Sequence, residues 1–363
     1  MDFSLFVPCH RFDNAVSESE VMAFALRSAE MADEGGFRTV WFPEHHMVQY
    51  IACPSPLQLA VAAAQRTKRV RVGTAIIVLP YYDPRRLAGE IGMADVLSEG
   101  RLEVGLGRGA FQYEFDRYGI DPATGTARLH EGMDVIEGLL TQEDFEYRGE
   151  TVSFGPSTSV PRPVQKPHPP IWISGRNAES MRWIASRGYN QLATPWREPF
   201  SYVEESYGQF SRIRDEAAPE GKTPKYGISR MSFVGETDGE ALDAMKDVAV
   251  NHRAFTRLFT NTATVKGGFV QADPVEGEYS EDKLLANLVA GSPETVIEKL
   301  KAYEALGVDE FIMYAGFPLD HEKTAKSIRL MAERVMPAFA KDTKDTKDGG
   351  KADDGRIAAA AAG

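Results

Sequence analysis

The run VRVGTAIIVLPYYDPRRLAGEIGMADVLSEGRLEVGLG, from Val70 to Gly107, decides the fold. VRVGTAIIVLP is an apolar, β-branched run that reads as a buried strand, and DPRRLAGEIGMADVLSEG reads as a helix stopped by Gly100. LEVGLG then returns as a second buried strand. Strand, helix and strand in immediate succession form a βαβ unit, which calls for a parallel sheet.

The same alternation extends to both sides. Upstream, FSLFV reads as strand one and SESEVMAFALRSAEMADEGG as its helix. Ser17 and Glu20 make a capping box there, Val21, Phe24, Ser28 and Met31 share a face, and Gly35-Gly36 ends the helix. TVWFP is strand two, followed by the helical PLQLAVAAAQRT. Downstream, a helix near 127–140 precedes IWIS, YNQLAT and KYGISRMSFVG, which read as strands five to seven. SPETVIEKLKAYEALG starts a helix at Ser292 and Pro293, and VDEFIMY is the eighth strand.

Eight βα units in about 335 residues predict a (β/α)8 TIM barrel as one domain over 1–337. Surplus length falls in an insertion after strand four, near 145–169, and another after strand seven, near 260–288. A doubly wound open sheet is disfavoured, since PCHRFDNA after strand one has no glycine for a dinucleotide fingerprint. The remainder, 338–363, ends in KDTKDTKDGGKADDGRIAAAAAG and is expected to be a tail without packed structure.

Composition narrows the function. A net charge of −12 without a Lys/Arg-rich block argues against nucleic acid and anionic membranes as partners. Cys9 and Cys53 cannot build a disulfide framework and read as reduced core thiols. The opening MDFSLFVPCHRFD has neither the basic leader nor the apolar run of a signal peptide, and no stretch approaches the roughly 20 apolar residues of a membrane span, so a cytoplasmic protein is expected.

In a barrel the reactive groups gather at the carboxyl ends of the strands. TVWFPEHHM (39–47) ends strand two in Glu44, His45 and His46. Alternation puts Glu44 and His46 on one side and His45 on the other, so the cluster could supply a metal pair or one catalytic histidine. The seven histidines show no HxH or HExxH pattern and there is no CxxC; His10, at the end of strand one, is the only other histidine at a strand end. Strand four delivers Arg108 and Phe111. Strand five ends in Ser174-Gly175-Arg176-Asn177, where a glycine turn opens into a helix bearing Ser180, a phosphate-binding arrangement if Asn177 does more than cap. Ala193 and Thr194 end strand six. Tyr81, Tyr82, Phe111, Trp196 and Phe233 could pack a flat ring and an apolar substrate.

With these segments in place, WFPEHH, the Val70–Gly109 region and GSPETVIEKLKAYEALGVDEF, the chain resembles the bacterial luciferase-like flavin-dependent monooxygenases over nearly its whole length. The resemblance implies a barrel that binds reduced FMN (FMNH2), reacts it with O2 to a C4a-peroxyflavin and oxygenates an organic substrate. It assigns His45 as the catalytic histidine, with His46 beside it, and Glu44, Ala75, Ile76, Arg108, Ser174, Gly175, Arg176, Asn177, Ser180, Ala193 and Thr194 as the cofactor wall. Ala75–Ile76 is implied to be a non-proline cis peptide. His10, Tyr81, Phe111, Trp196 and Phe233 are the expected substrate lining.

Two positions depart from the pattern. Gly107 stands where luciferases carry a reactive cysteine, and Gly125 and Thr126 stand where a further phosphate-binding arginine is expected, with Arg128 nearby. TNTATVKGGFVQADPVEGEYSEDK (260–283) matches the family's mobile lid. The expected enzyme is the oxygenase of a two-component system: it takes FMNH2 from a separate NAD(P)H:flavin reductase, acts on an apolar aldehyde or ketone, and is a homodimer. The alternatives are an F420-dependent hydride-transfer enzyme of the same superfamily, a hydrolase with metal on Glu44, His46 and His10, and a non-catalytic flavin binder.

Overall fold

Eight parallel strands close into a ring: β1 (Asp2–Phe6), β2 (Thr39–Phe42), β3 (Arg71–Thr74), β4 (Leu102–Gly107), β5 (Ile171–Ser174), β6 (Asn190–Ala193), β7 (Tyr226–Val234) and β8 (Glu310–Tyr314). Each pairs with its neighbour in sequence, and β8 pairs with β1 in register from Asp2↔Glu310 to Phe6↔Tyr314. These coordinates are a computed structural model that describes residues 1–340 apart from Val275 and Pro318. The (β/α)8 barrel read from the alternation is the observed fold.

Helices α1 (Glu18–Glu34), α2 (Pro56–Ala64), α3 (Pro84–Leu97), α4 (Gln112–Tyr118), α5 (Gly125–Thr141), α6 (Ala178–Ser186), α7 (Phe200–Ala217), α8 (Asp238–Phe259), α9 (Glu281–Asn287), α10 (Pro293–Leu306) and α11 (His321–Leu330) follow in chain order. The start of α1 is the capping box read from the sequence, with Ser17 and Glu20 bonding each other's backbone.

The amino end of the barrel is plugged by charge. Trp41 Nε1 donates to Glu310 Oε1 at 3.0 Å and Trp172 Nε1 to Glu103 Oε2 at 2.6 Å. Arg38 bridges both carboxylates, and Arg71 adds a second bond to Glu103. Both acids are fully buried, and burial pushes the Glu310 carboxyl upward. Gly73 makes room for the plug, because a Cβ there would lie 2.4 Å from Trp41 Cε3. With that end sealed, the opposite end is left for a ligand.

The insertion after strand four holds an antiparallel hairpin, Phe145–Arg148 with Ser153–Ser157, and the one after strand seven a smaller hairpin, Val265–Lys266 with Phe269–Val270. Val289–Gly291 pairs parallel to Ser232–Val234 at the end of β7, a short strand the sequence pattern did not mark. Phe339 packs its ring on Phe3 at 5.3 Å, so packing runs two residues past the 337 boundary. Residues 341–363 of the expected tail lie outside the described residues. Among those described, no helix is long and apolar enough to cross a membrane.

Candidate active site

The loop after β2 carries Glu44, His45 and His46 into the carboxyl mouth, and they divide as the alternation predicts. His46 Nε2 meets Glu44 Oε1 at 2.6 Å. His45 turns the other way, placing Nδ1 2.9 Å from Glu114 Oε1 on α4, and its ring stacks on Phe111 at 4.6 Å. The same Glu114 oxygen accepts the backbone N–H of His46 at 2.7 Å. One buried carboxylate therefore fixes both residues.

Glu114 leaves His45 a defined tautomer. In the neutral ring an acceptor at Nδ1 keeps the proton there and leaves the lone pair on Nε2, which has no hydrogen-bond partner among the described residues. Glu44 also accepts from Val78 N–H at 3.1 Å. Burial drives its carboxyl upward, against the pull of His46. Burial and these carboxylates push the Tyr81 and Tyr82 phenols up as well, keeping both protonated.

His10 is locked rather than poised. Its Nδ1 donates to Tyr50 O at 2.7 Å, and Nε2 accepts from Asn251 at 3.1 Å and Tyr314 at 3.0 Å. Burial lowers it to about 4, so the ring is neutral. With both nitrogens engaged it has none to offer a metal, and no group of three or more His, Cys, Asp or Glu able to hold an ion occurs among the described residues. Cys9 and Cys53 are buried, and the interaction with the Cys53 thiol, reinforced by burial, raises the Cys9 thiol.

Across the mouth, the Ala75–Ile76 peptide is cis, the geometry the resemblance implies. Gly107 faces it: a Cβ at 107 would stand 2.3 Å from Ile76 Cδ1, so this isoleucine fills the space a cysteine would need. Arg108 leaves the next position exposed, its Cγ 2.8 Å from where a Cβ on Gly125 would be. Arg128 bonds Thr124 beside it at 3.1 Å. Asn177 caps α6 through Ser180 N at 2.8 Å, and Ser180 answers with the return bond. Asn177 and Ser180 are thus occupied with each other, whereas Ser174, Arg108 and Arg176 are exposed and the two arginines make no ion pair among the described residues.

The aromatic residues separate. Trp196 lies 3.8 Å from Phe255 between ring centroids, and Phe233 follows Met231 on one face of β7. Phe111, expected as open lining, is 1% exposed and serves as the floor under His45. Tyr81 sits edge-on to His46 at 5.6 Å. Over the mouth, the hairpin after strand seven is seated by Gln49 N donating to Gly268 O at 2.7 Å and by Arg11 over the Phe269 ring at 5.0 Å.

Residues 1–310 match the family described as luciferase-like monooxygenase. The chain belongs to the luciferase-like monooxygenases. Among relatives of this luciferase-like monooxygenase is the flavin-dependent trigonelline monooxygenase, oxygenase component, of Acinetobacter baylyi, 32% identical over 96% of this chain and 98% of the other. Monooxygenase RslO1 from Streptomyces bottropensis superposes with a TM-score of 0.80 at 26% identity, covering 94% of this chain and all of that one. The oxygenating constituent of 3,6-diketocamphane monooxygenase from Pseudomonas putida, solved with FMN, shares the fold at a TM-score of 0.75 and 24% identity, over 93% and 98% of the two chains.

Three residues of this luciferase-like site were not picked out in the sequence: Glu114, Tyr118 and Asn251. Glu114 had a signal, being the one carboxylate on the helical face Phe111, Phe115 and Tyr118. Asn251 had none, since its reach from α8 to His10 depends on tertiary packing.

Proposed function

We propose that this chain is the oxygenase of a two-component system, binding reduced FMN delivered by a separate reductase and using O2 to oxygenate a small apolar organic substrate of aldehyde or ketone type. The observation that carries the reading is His45, clamped between Phe111 and Glu114 with Nε2 free.

The residues present fit the cofactor. Arg108, Arg176 and the amino end of α6 form a cationic edge that complements a phosphate. Between that edge and Glu44 lie the cis Ala75–Ile76 segment and the ends of β5 and β6. Gln191 Nε2 donates to Gly175 O at 2.5 Å, holding the turn that presents Arg176. Reduced flavin supplies the electrons that activate O2, one oxygen atom going to substrate and the other leaving as water.

The protein's share is positioning and proton handling. Glu114 holds His45 so that Nε2 accepts a proton from substrate or water, with the resulting imidazolium stabilised by the Glu114 carboxylate. Trp196 and Phe255 give an apolar substrate a surface to rest on, and the 260–283 segment acts as a lid that keeps water away. The relative named as an oxygenase component supports the two-component reading.

The test is anaerobic titration with reduced FMN, followed by mixing with oxygenated buffer. The wild type is expected to bind and to reoxidise more slowly than free reduced FMN, and His45→Ala to bind equally but reoxidise faster. Failure to bind reduced FMN would overturn the proposal, and F420 would be tried next.

A further inference from the structure

A single file of hydrogen bonds leads from the buried end of this site to the surface. Glu44 Oε1 meets His46 Nε2 at 2.6 Å, and the other ring nitrogen, Nδ1, meets the Tyr118 phenol oxygen at 2.9 Å. Glu44 is 3% exposed and Tyr118 is 39% exposed. Tyr118 stacks on Tyr81 at 4.6 Å, and Tyr81 sits edge-on to His46, so the file is held from the side.

We propose that Glu44, His46 and Tyr118 form a proton relay that lets the buried carboxyl gain or lose one charge by exchange with solvent. Two proton arrangements keep every bond in the file. In the first, the Tyr118 O–H donates to Nδ1, and Nε2–H donates to the Glu44 carboxylate. A solvent proton arriving at the phenol oxygen drives the phenolic proton onto Nδ1, and the Nε2 proton passes to Glu44 Oε1. In the second, Glu44 is a neutral carboxyl donating to Nε2, and Nδ1–H donates to Tyr118. One proton has entered, no heavy atom has moved, and the reverse sequence returns it to water.

The surroundings suit this role. Burial raises the Glu44 carboxyl, which brings its neutral form within reach. The other groups facing the file are the Glu114 carboxylate, bonded to both histidines, and the Tyr81 and Tyr82 phenols, which stay protonated. Glu44 Oε2 accepts from Val78 N–H, two residues beyond the cis peptide, so its charge changes at the wall assigned above to the flavin. Only the purpose of the relay, following charge changes on the cofactor, rests on that assignment.

The rival is that His46 merely staples Glu44 in place, and flavin-free protein separates the two. In protein labelled with 15N-histidine, the exchange of the His46 imidazole proton with water is measured in wild type and in Tyr118→Phe, which removes one oxygen from a partly exposed ring. His46→Gln identifies the signal. The relay predicts that Tyr118→Phe keeps the fold and the bond to Glu44 but slows exchange at least about tenfold, as expected when a proton must wait for local opening. Unchanged exchange overturns the relay. A wild type that exchanges at the relay rate yet binds no reduced FMN would overturn the flavin reading and leave the relay standing.

Discussion

Glu114 is a single atom's worth of organisation, and replacing it measures how much that organisation costs to lose. Its buried Oε1 accepts two partly buried N–H donors, His45 Nδ1 and the His46 backbone. Glu114→Ala leaves both without an acceptor, at about 1–3 kcal/mol each, so the variant should lose about 4 kcal/mol of stability once lost packing is included. Glu114→Gln keeps an oxygen in place and loses only the charge assistance, about 1–2 kcal/mol. Urea denaturation at fixed protein concentration, followed by tryptophan fluorescence, reads both values. The functional readout should track His45: Glu114→Gln should speed reoxidation of bound reduced FMN toward the rate of His45→Ala, and the double variant should be no faster than His45→Ala alone. A Glu114→Ala protein within 1 kcal/mol of wild type, or a double variant whose effects simply add, would refute the idea that this carboxylate sets the histidine.

Arg108→Ala and Arg176→Ala should each weaken reduced-FMN binding about 10- to 100-fold, as loss of a charged hydrogen bond implies, while leaving reduced riboflavin unaffected; equal losses for both ligands would remove the phosphate assignment. Acid should destabilise the fold through His10 and His252, both lowered from 6.5 to about 4 by burial. The unfolded chain then binds more protons between those values, so stability is full above pH 6.5 and falls as pH drops toward 4, by about 3 kcal/mol per histidine. His252→Leu should flatten that slope by one proton in pH-dependent urea titrations. Replacing the hairpin 264–272 by a short glycine linker should leave flavin binding intact but raise peroxide release relative to substrate oxidation, measured by peroxide assay; unchanged coupling would show that the hairpin does not shield the site.

The eight barrel strands were legible because each is a short apolar run set between helical patterns, and burial on both faces of a parallel strand writes itself into residue type. Glu44, His45 and His46 were legible for the opposite reason, as ionisable groups placed where a core strand ends. What the chain concealed depends on neighbours far away in sequence. Val289–Gly291 is too short to stand out and exists as a strand only beside β7. Phe111 looked like lining because it follows a strand end, yet the ring of His45 covers it. The mutual capping of Asn177 and Ser180 was foreseeable, whereas the filling of the Gly107 space by Ile76 was not, since it needs two strand ends brought side by side.

The burial of Cys9 and Cys53, together with a glycine at position 107, has a practical consequence. No native thiol should compete with one introduced at the surface, because both cysteines are buried out of reach of alkylating reagents. Lys266→Cys, at an exposed position on the hairpin over the mouth, would therefore accept a single fluorophore in an otherwise silent background, and the movement of that segment could be timed against the arrival of each ligand without disturbing the chemistry beneath it.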